Sequence, residues 1–95
     1  MSSFNREIRV DSQFFDFSFV RIYTKDGFKY FVTVVENQVN ACYFTIEKNN
    51  GVWMINDAPK VPQWIHNLQD VLVKAVNEND YNVWQIAIGN DNRGR

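Results

Sequence analysis

The first half of the chain alternates apolar and polar positions in short runs that turn-forming residues separate. The runs are rich in β-branched and aromatic residues, which is typical of β-strands. The turns are the segments YTKDGFK (23–29), VENQV (35–39) and EKNNGVW (47–53). Strands are therefore predicted at about residues 14–24, 28–35, 39–47 and 52–56, and residues 4–10 can add a fifth strand at one edge.

The spacing of apolar residues becomes helical after residue 60. Apolar residues recur every three or four positions from Val61 to Val76, and Pro62 stands near the start, where a helix tolerates proline. This pattern predicts an amphipathic helix of about 16 residues that packs one face on the sheet. Residues 81–88 alternate again and are predicted to be extended, which leaves open a short extra strand after the helix.

The predicted fold is α+β, a four- to five-stranded antiparallel meander in the order β-β-β-β-α with one C-terminal helix on one face. Residues 1–88 are predicted to form a single domain, because a 95-residue chain supports only one core. Residues 89–95 are polar and are predicted to be a frayed tail.

The register of the hairpins decides which side chains the helix covers, because a shift of one residue exchanges the two faces of a strand. A three-residue loop at 25–27, with Gly27 in the left-handed conformation, places Val20 and Ile22 under the helix and is preferred. A two-residue loop at Asp26–Gly27 is the alternative. It would place Phe15, Phe17 and Phe19 in the core under the helix.

In the preferred register, the face of the sheet away from the helix is too apolar to meet water. A second copy of the chain, the chain's own segments 4–10 and 81–88, or a ligand could cover it. Two-fold dimers are the commonest closed assembly, and the helix is already used on the first face, so a homodimer is favoured. The residues predicted for this interface or binding face are Phe17, Phe19, Arg21, Tyr23, Lys29, Phe31 and Tyr43.

Composition narrows the class of function. The chain is 45% hydrophobic and 16% aromatic, enough for a packed core, and its net charge of −1 gives no overall attraction to nucleic acid or to anionic membranes. No apolar run approaches the roughly 20 residues of a membrane helix, and no secretory signal is visible. Cys42 is the single cysteine, so we expect a cytoplasmic protein without an internal disulfide.

No set of residues forms a recognisable catalytic or metal-binding motif. His66, the single histidine, lies four residues before Asp70, but both fall on the polar side of the predicted helix with no nucleophile nearby. One histidine and one cysteine on different elements lack the spacing of a metal site, and no glycine-rich phosphate loop exists. We therefore expect a non-catalytic interaction or assembly protein that needs no cofactor and no metal.

A different hypothesis starts from the aromatic residues that are interleaved with Arg21 and Lys29. Such a surface can stack bases and contact phosphates of a single strand. Across residues 14–79 the order of hairpin-linked strands and one helix resembles the PUR-repeat and Whirly class of single-stranded nucleic-acid-binding domains, which commonly dimerise. The resemblance implies a nucleic-acid-binding module as the alternative function. The balanced charge favours cross-strand packing of the same residues, so nucleic acid is not the preferred partner.

Overall fold

A computed structural model of the chain describes residues 2–37, 40–57 and 60–93, and it describes the side chains of residues 3–37, 40–57 and 60–85. The strands pair in chain order as an antiparallel meander, and the sheet curls around the helical segment. This confirms the predicted α+β fold, including the edge strand at the N-terminus. The elements are β1 (Ser2–Val10), β2 (Gln13–Thr24), β3 (Gly27–Val35), β4 (Ala41–Asn49), β5 (Val52–Asn56), α1 (Gln63–His66) and α2 (Gln69–Arg93).

The helical segment is longer than predicted. It starts as the single turn α1 after Pro62, is interrupted at Asn67 and Leu68, and continues as α2 to Arg93. The prediction of an extended segment or a short strand at 81–88 is therefore wrong. Tyr81 and Trp84 are three positions apart, which also fits a helix, and no proline separates them from the preceding turns. Residues 89–93 continue α2, whereas 94 and 95 lie outside the described residues.

The β2–β3 hairpin has a two-residue loop, Lys25–Asp26, closed by the pair Thr24 and Gly27. The Thr24 hydroxyl supports this tight loop, since it accepts a hydrogen bond from the Asp26 amide at 3.2 Å and donates one to the Gly27 carbonyl at 3.1 Å. Gly27 has a φ of 127°, which glycine adopts without steric cost while it closes the ladder. The preferred three-residue loop is thus wrong, and the loop lies one residue before the two-residue alternative.

This loop reverses the two faces of β2 relative to the preferred prediction. Phe17 and Phe19 pair with Val34 and Val32 on the helix side, and Arg21 is on the same side. Both phenylalanine rings are fully buried. Their predicted place on the uncovered face was wrong for this reason. Val20 and Ile22, which were predicted under the helix, lie on the opposite side of the sheet.

The other two predicted hairpins keep their faces. A three-residue loop at 36–38 predicts that Val34 pairs with Asn40; it pairs with Cys42 instead, and a shift of two residues leaves every side chain on its face. A short loop around Asn50 and Gly51 predicts Trp53 and Ile55 on the helix side; the loop is Asn50–Gly51, both with positive φ, and the two side chains are on that side.

The core lies between the concave, helix-covered side of the sheet and the helices. Phe4 of β1 stacks on Phe19 with ring centroids 4.4 Å apart, so the edge strand is bound to the core through its aromatic ring. Trp64 of α1 packs on Phe15, with centroids 5.0 Å apart. The buried core consists of Ile8, Phe17, Phe19, Tyr30, Val32, Val34, Phe44, Ile46, Trp53, Ile55, Val61, Ile65, Leu72, Ala75 and Val76.

Candidate functional site

The outward side of strands β2 to β5 carries apolar side chains that no other part of the described chain covers. We call this surface the open face. Lys29, Phe31 and Tyr43, all predicted for the interface, lie on it, and the rings of Phe31 and Tyr43 have their centroids 6.2 Å apart. The open face comprises Val20, Ile22, Lys29, Phe31, Thr33, Val35, Ala41, Tyr43, Thr45, Glu47, Val52, Met54 and Asn56.

The large apolar side chains of the open face are strongly exposed. Tyr43 is 61% exposed, Val35 and Val52 are each 59% exposed, and Phe31 retains 38%. Antiparallel sheets that meet water usually carry polar residues on that side. Large apolar side chains exposed on one side of a sheet are typical of an interaction site.

Lys29 and Glu47, the ionic groups of the open face, form an ion pair. Lys29 Nζ lies 4.0 Å from Glu47 Oε2, and the same carboxylate oxygen accepts hydrogen bonds from Asn56 at 2.8 Å and Thr45 at 2.9 Å. The Asn56 hydrogen bond, with those of Thr45 and the charge of Lys29, holds the pKa of Glu47 below its usual range although partial burial opposes this. The Lys29–Glu47 pair therefore presents no uncompensated charge to a partner, and the carboxylate on the outward side of β2, that of Asp16, lies near the start of that strand and accepts a hydrogen bond from Asn5.

The area of the open face is close to the area that one partner contributes to a protein interface. Four strands spaced about 4.8 Å apart and about 30 Å long cover roughly 600 Å². A standard protein interface uses about 800 Å² of each partner, so the open face can supply most of one.

The remaining residues of the predicted interface lie elsewhere. Phe17 and Phe19 are buried in the core, and the Arg21 guanidinium lies on the helix side, 3.6 Å from the Phe28 ring centroid. Tyr23 is 73% exposed, but it too is on the helix side, beside Phe28 at the end of the sheet. The continuous aromatic and basic surface predicted for base stacking is therefore not formed.

Arg21 belongs to a polar cluster that joins α2 to the sheet. Asp80 Oδ1 accepts a hydrogen bond from Arg21 Nε at 3.0 Å and from the buried Tyr30 hydroxyl at 3.2 Å, and Asn79 donates to that hydroxyl at 3.0 Å. Burial raises the pKa of Tyr30, and the Asp80 charge adds to this against the effects of Asn79 and Arg21. We call this group the Asp80 cluster, and its contacts are those of a structural junction.

His66 pairs with Asp57 and not with Asp70, the residue four positions after it. His66 Nε2 lies 2.9 Å from Asp57 Oδ1, and the same oxygen accepts the Val61 amide at 2.9 Å. The Val61 hydrogen bond, followed by that of His66, lowers the pKa of Asp57. Sequence reasoning missed this role of Asp57, although aspartate side chains in turns often accept hydrogen bonds from nearby backbone amides. The carboxylate ties the connection between β5 and α1 to the helix.

The other candidate chemistry is not assembled in the described part of the chain. Burial, with the charge of Glu36, raises the pKa of the Cys42 thiol, which keeps it protonated and a poor nucleophile. Within residues 2–37, 40–57 and 60–93, no group of three or more His, Cys, Asp or Glu side chains is placed to hold a metal ion. None of the helices among these residues is both long enough and apolar enough to cross a bilayer.

Comparison with protein-family models, with curated proteins and with solved structures finds no match for this chain.

Proposed function

We propose that this chain is a small cytoplasmic, non-catalytic assembly protein that forms a homodimer through the open face. The observation that carries the proposal is the combination of strongly exposed apolar side chains with ionic groups that are already paired within the face. A two-fold contact brings identical surfaces together. A surface whose central cation and carboxylate are already paired with each other meets its own copy with little repulsion between like charges.

The hydrophobic gain is concentrated in the centre of the open face. Phe31 and Tyr43 lie side by side on β3 and β4, whereas Met54 and Val52 lie beyond the Lys29–Glu47 pair, toward the other end of the face. Large aromatic side chains at the centre of an interface usually contribute most of its binding energy. The half-buried Cys42, with its protonated thiol, is compatible with a reducing compartment.

The test compares the mass of the intact chain with that of two charge-introducing variants, by light scattering after size exclusion. Wild-type protein at micromolar concentration is expected at a multiple of the 11.2 kDa chain mass, and Phe31→Glu is expected to halve the mass of the assembly. The matched control is Tyr23→Glu, which adds the same charge at an exposed aromatic position on the helix side and should leave the mass unchanged. Circular dichroism confirms that both variants fold.

Wild-type protein at the mass of one chain, or equal masses for wild type and Phe31→Glu, would contradict the proposal. The competing occupant of the face, a single nucleic-acid strand, is examined by fluorescence anisotropy with mixed-sequence oligonucleotides at low salt. Binding that Lys29→Ala and Phe31→Ala both abolish would assign the open face to nucleic acid and overturn the dimer as its function.

A further inference from the structure

The outer edge of β1 has no strand beside it in the described chain. β1 runs from Ser2 to Val10 and is the first strand in the sheet order, paired with β2 alone. A strand edge of this length presents a row of backbone amide and carbonyl groups to which another strand can pair. The backbone groups that point outward determine which strand can pair there.

The β1–β2 turn determines the direction of those groups. Val10 pairs with Gln13 across the two-residue loop Asp11–Ser12, in which Asp11 has a φ of 57°. In a hairpin of this kind the closing pair exchanges both of its hydrogen bonds, and the pattern alternates along the strand. Val10 and Ile8 therefore bond inward to β2, whereas the backbone groups of Arg9 and Glu7 point to the open edge.

The charges beside this edge are not balanced within one chain. Glu7 lies directly opposite Asp16 of β2, and like charges in this position destabilise a sheet. The neighbouring cations bind elsewhere, since Arg9 Nε donates to the Asp11 carbonyl at 2.8 Å and Arg6 forms a 3.3 Å ion pair with Glu78. No cation among the described residues forms an ion pair with Glu7.

We propose that two copies of this chain pair edge to edge through β1, antiparallel, with Ile8 on the two-fold axis. In this register Glu7 of each copy lies opposite Arg9 of the other, and the pair exchanges its backbone hydrogen bonds. Neighbouring registers are excluded by charge. An axis at Glu7 opposes two carboxylates, and an axis at Arg6 or Arg9 opposes two guanidinium groups.

The helix side of the same edge adds an apolar contact. Ile8, Val71 and Ala75 line a groove of about 440 Å³ between β1 and α2, and Val71 is 47% exposed. With Ile8 on the axis, the grooves of the two copies lie next to each other, and the contact covers the exposed Val71 of each copy. The charged residues that border the groove are of both signs, namely Arg6, Glu7, Arg9, Lys74 and Glu78.

This contact is independent of the proposed dimer through the open face. Edge pairing places both open faces on the same side of one continuous sheet, where they remain free to meet another pair. Two self-complementary surfaces on one chain predict a closed assembly of four chains, each of 11.2 kDa.

The experiment isolates the edge by using Phe31→Glu as the background, in which contact through the open face is removed. Sedimentation up to the high micromolar range is expected to show a mass twice that of one chain. Adding Glu7→Arg or Arg9→Glu reverses one side of each pair and should weaken association by roughly tenfold or more. The variant with both reversals restores opposite charges across the axis, and we expect it to recover the dimer. Asp26→Arg, in the β2–β3 loop, is the control charge reversal and should change nothing.

A single-chain mass for Phe31→Glu across the whole concentration series would overturn the edge contact while leaving the open-face dimer supported. Failure of the double reversal to recover the dimer would overturn the register centred on Ile8. The register would also be overturned if the two single-reversal variants associated as strongly as the Phe31→Glu background. Circular dichroism of each variant separates loss of pairing from loss of folding.

Discussion

Replacing Phe19 and Phe14 with alanine, one at a time, tests the register of β2 within a single short segment. Phe19 is fully buried and stacks on Phe4, whereas Phe14 is 63% exposed at the start of the strand. A phenylalanine side chain buries roughly 150 Å² or more, and at about 25 cal/mol per Å² its removal from the core costs about 4 kcal/mol. This agrees with the about 3–5 kcal/mol usual for such a core change.

The same arithmetic gives about 1.4 kcal/mol for Phe14→Ala, because most of its ring already meets solvent. For a domain of this size, the melting temperature should fall by roughly 15–30 °C in Phe19→Ala and by roughly 5–10 °C in Phe14→Ala. Thermal denaturation followed by circular dichroism, with all proteins at one concentration, measures both. Phe19→Leu, with a smaller loss of volume, supplies an intermediate point if the alanine variant does not fold.

Comparable destabilisation by the two alanine variants, or a larger effect at Phe14, would refute the register. That outcome is what the three-residue loop at 25–27 requires, since it places Phe19 outside the core and Phe14 on the side of the helix.

The Asp80 cluster and the hydrogen bonds of Asp57 give two further predictions. Asp80→Ala leaves the nearly buried Arg21 guanidinium without its acceptor and should lower the free energy of unfolding, measured by urea denaturation, by about 2–3 kcal/mol. Asp80→Asn retains an acceptor oxygen and should lower it by less. Equal effects of the two variants would argue against the hydrogen bonds. Because the pKa of Asp57 is lowered in the folded state, its contribution to stability is present above its unfolded pKa near ~3.9 and is lost as pH falls through the lower folded pKa. Asp57→Asn should therefore show a shallower loss of stability than wild type between about pH 5 and 2, and identical pH profiles would contradict this.

The sequence correctly predicted which side chains face the helix wherever the loops that the turn residues allow give the same face. Asn50 and Gly51 both adopt positive φ, so the β4–β5 hairpin and the burial of Trp53 and Ile55 followed from residue type. At β3–β4 the predicted register was displaced by two residues. This error does not change faces, so Phe31 and Tyr43 were correctly placed on the open face.

The β2 face could not be decided from the sequence because two loop lengths were both chemically reasonable. The choice depends on the two hydrogen bonds of the Thr24 hydroxyl, which belong to the local geometry and leave no mark in the alternation of residues. Because the predicted register was wrong by one residue, Phe17, Phe19 and Arg21 were predicted for the interface, although they lie on the helix side. The side of the sheet was therefore predicted correctly for Lys29, Phe31 and Tyr43 and wrongly for the residues of β2.

The long-range polar contacts were beyond sequence reasoning for a different reason. Arg21 and Asp80 are 59 positions apart, and Tyr30 and Asp80 are 50 apart, so their meeting depends on how α2 crosses the sheet. The opposition of Glu7 and Asp16 likewise appears only when β1 and β2 are aligned. Sequence periodicity assigns a residue to a face and does not say which residue on another element it meets.

The exposure of the α2 side chains just beyond Asp80 has a consequence for how the protein melts. Asp80 is bound to β2 and β3, whereas Tyr81 and Trp84 just beyond it are 60% and 57% exposed, and the helix continues to Arg93 over about 20 Å. Helix nucleation is costly, and here the packed part of α2 provides the nucleus, so the residues after Asp80 need only propagate it. Propagation gains little per residue and is not cooperative with the core. Helical signal should therefore decline gradually on heating, turn by turn from the C-terminal end, before the sheet unfolds in a single transition.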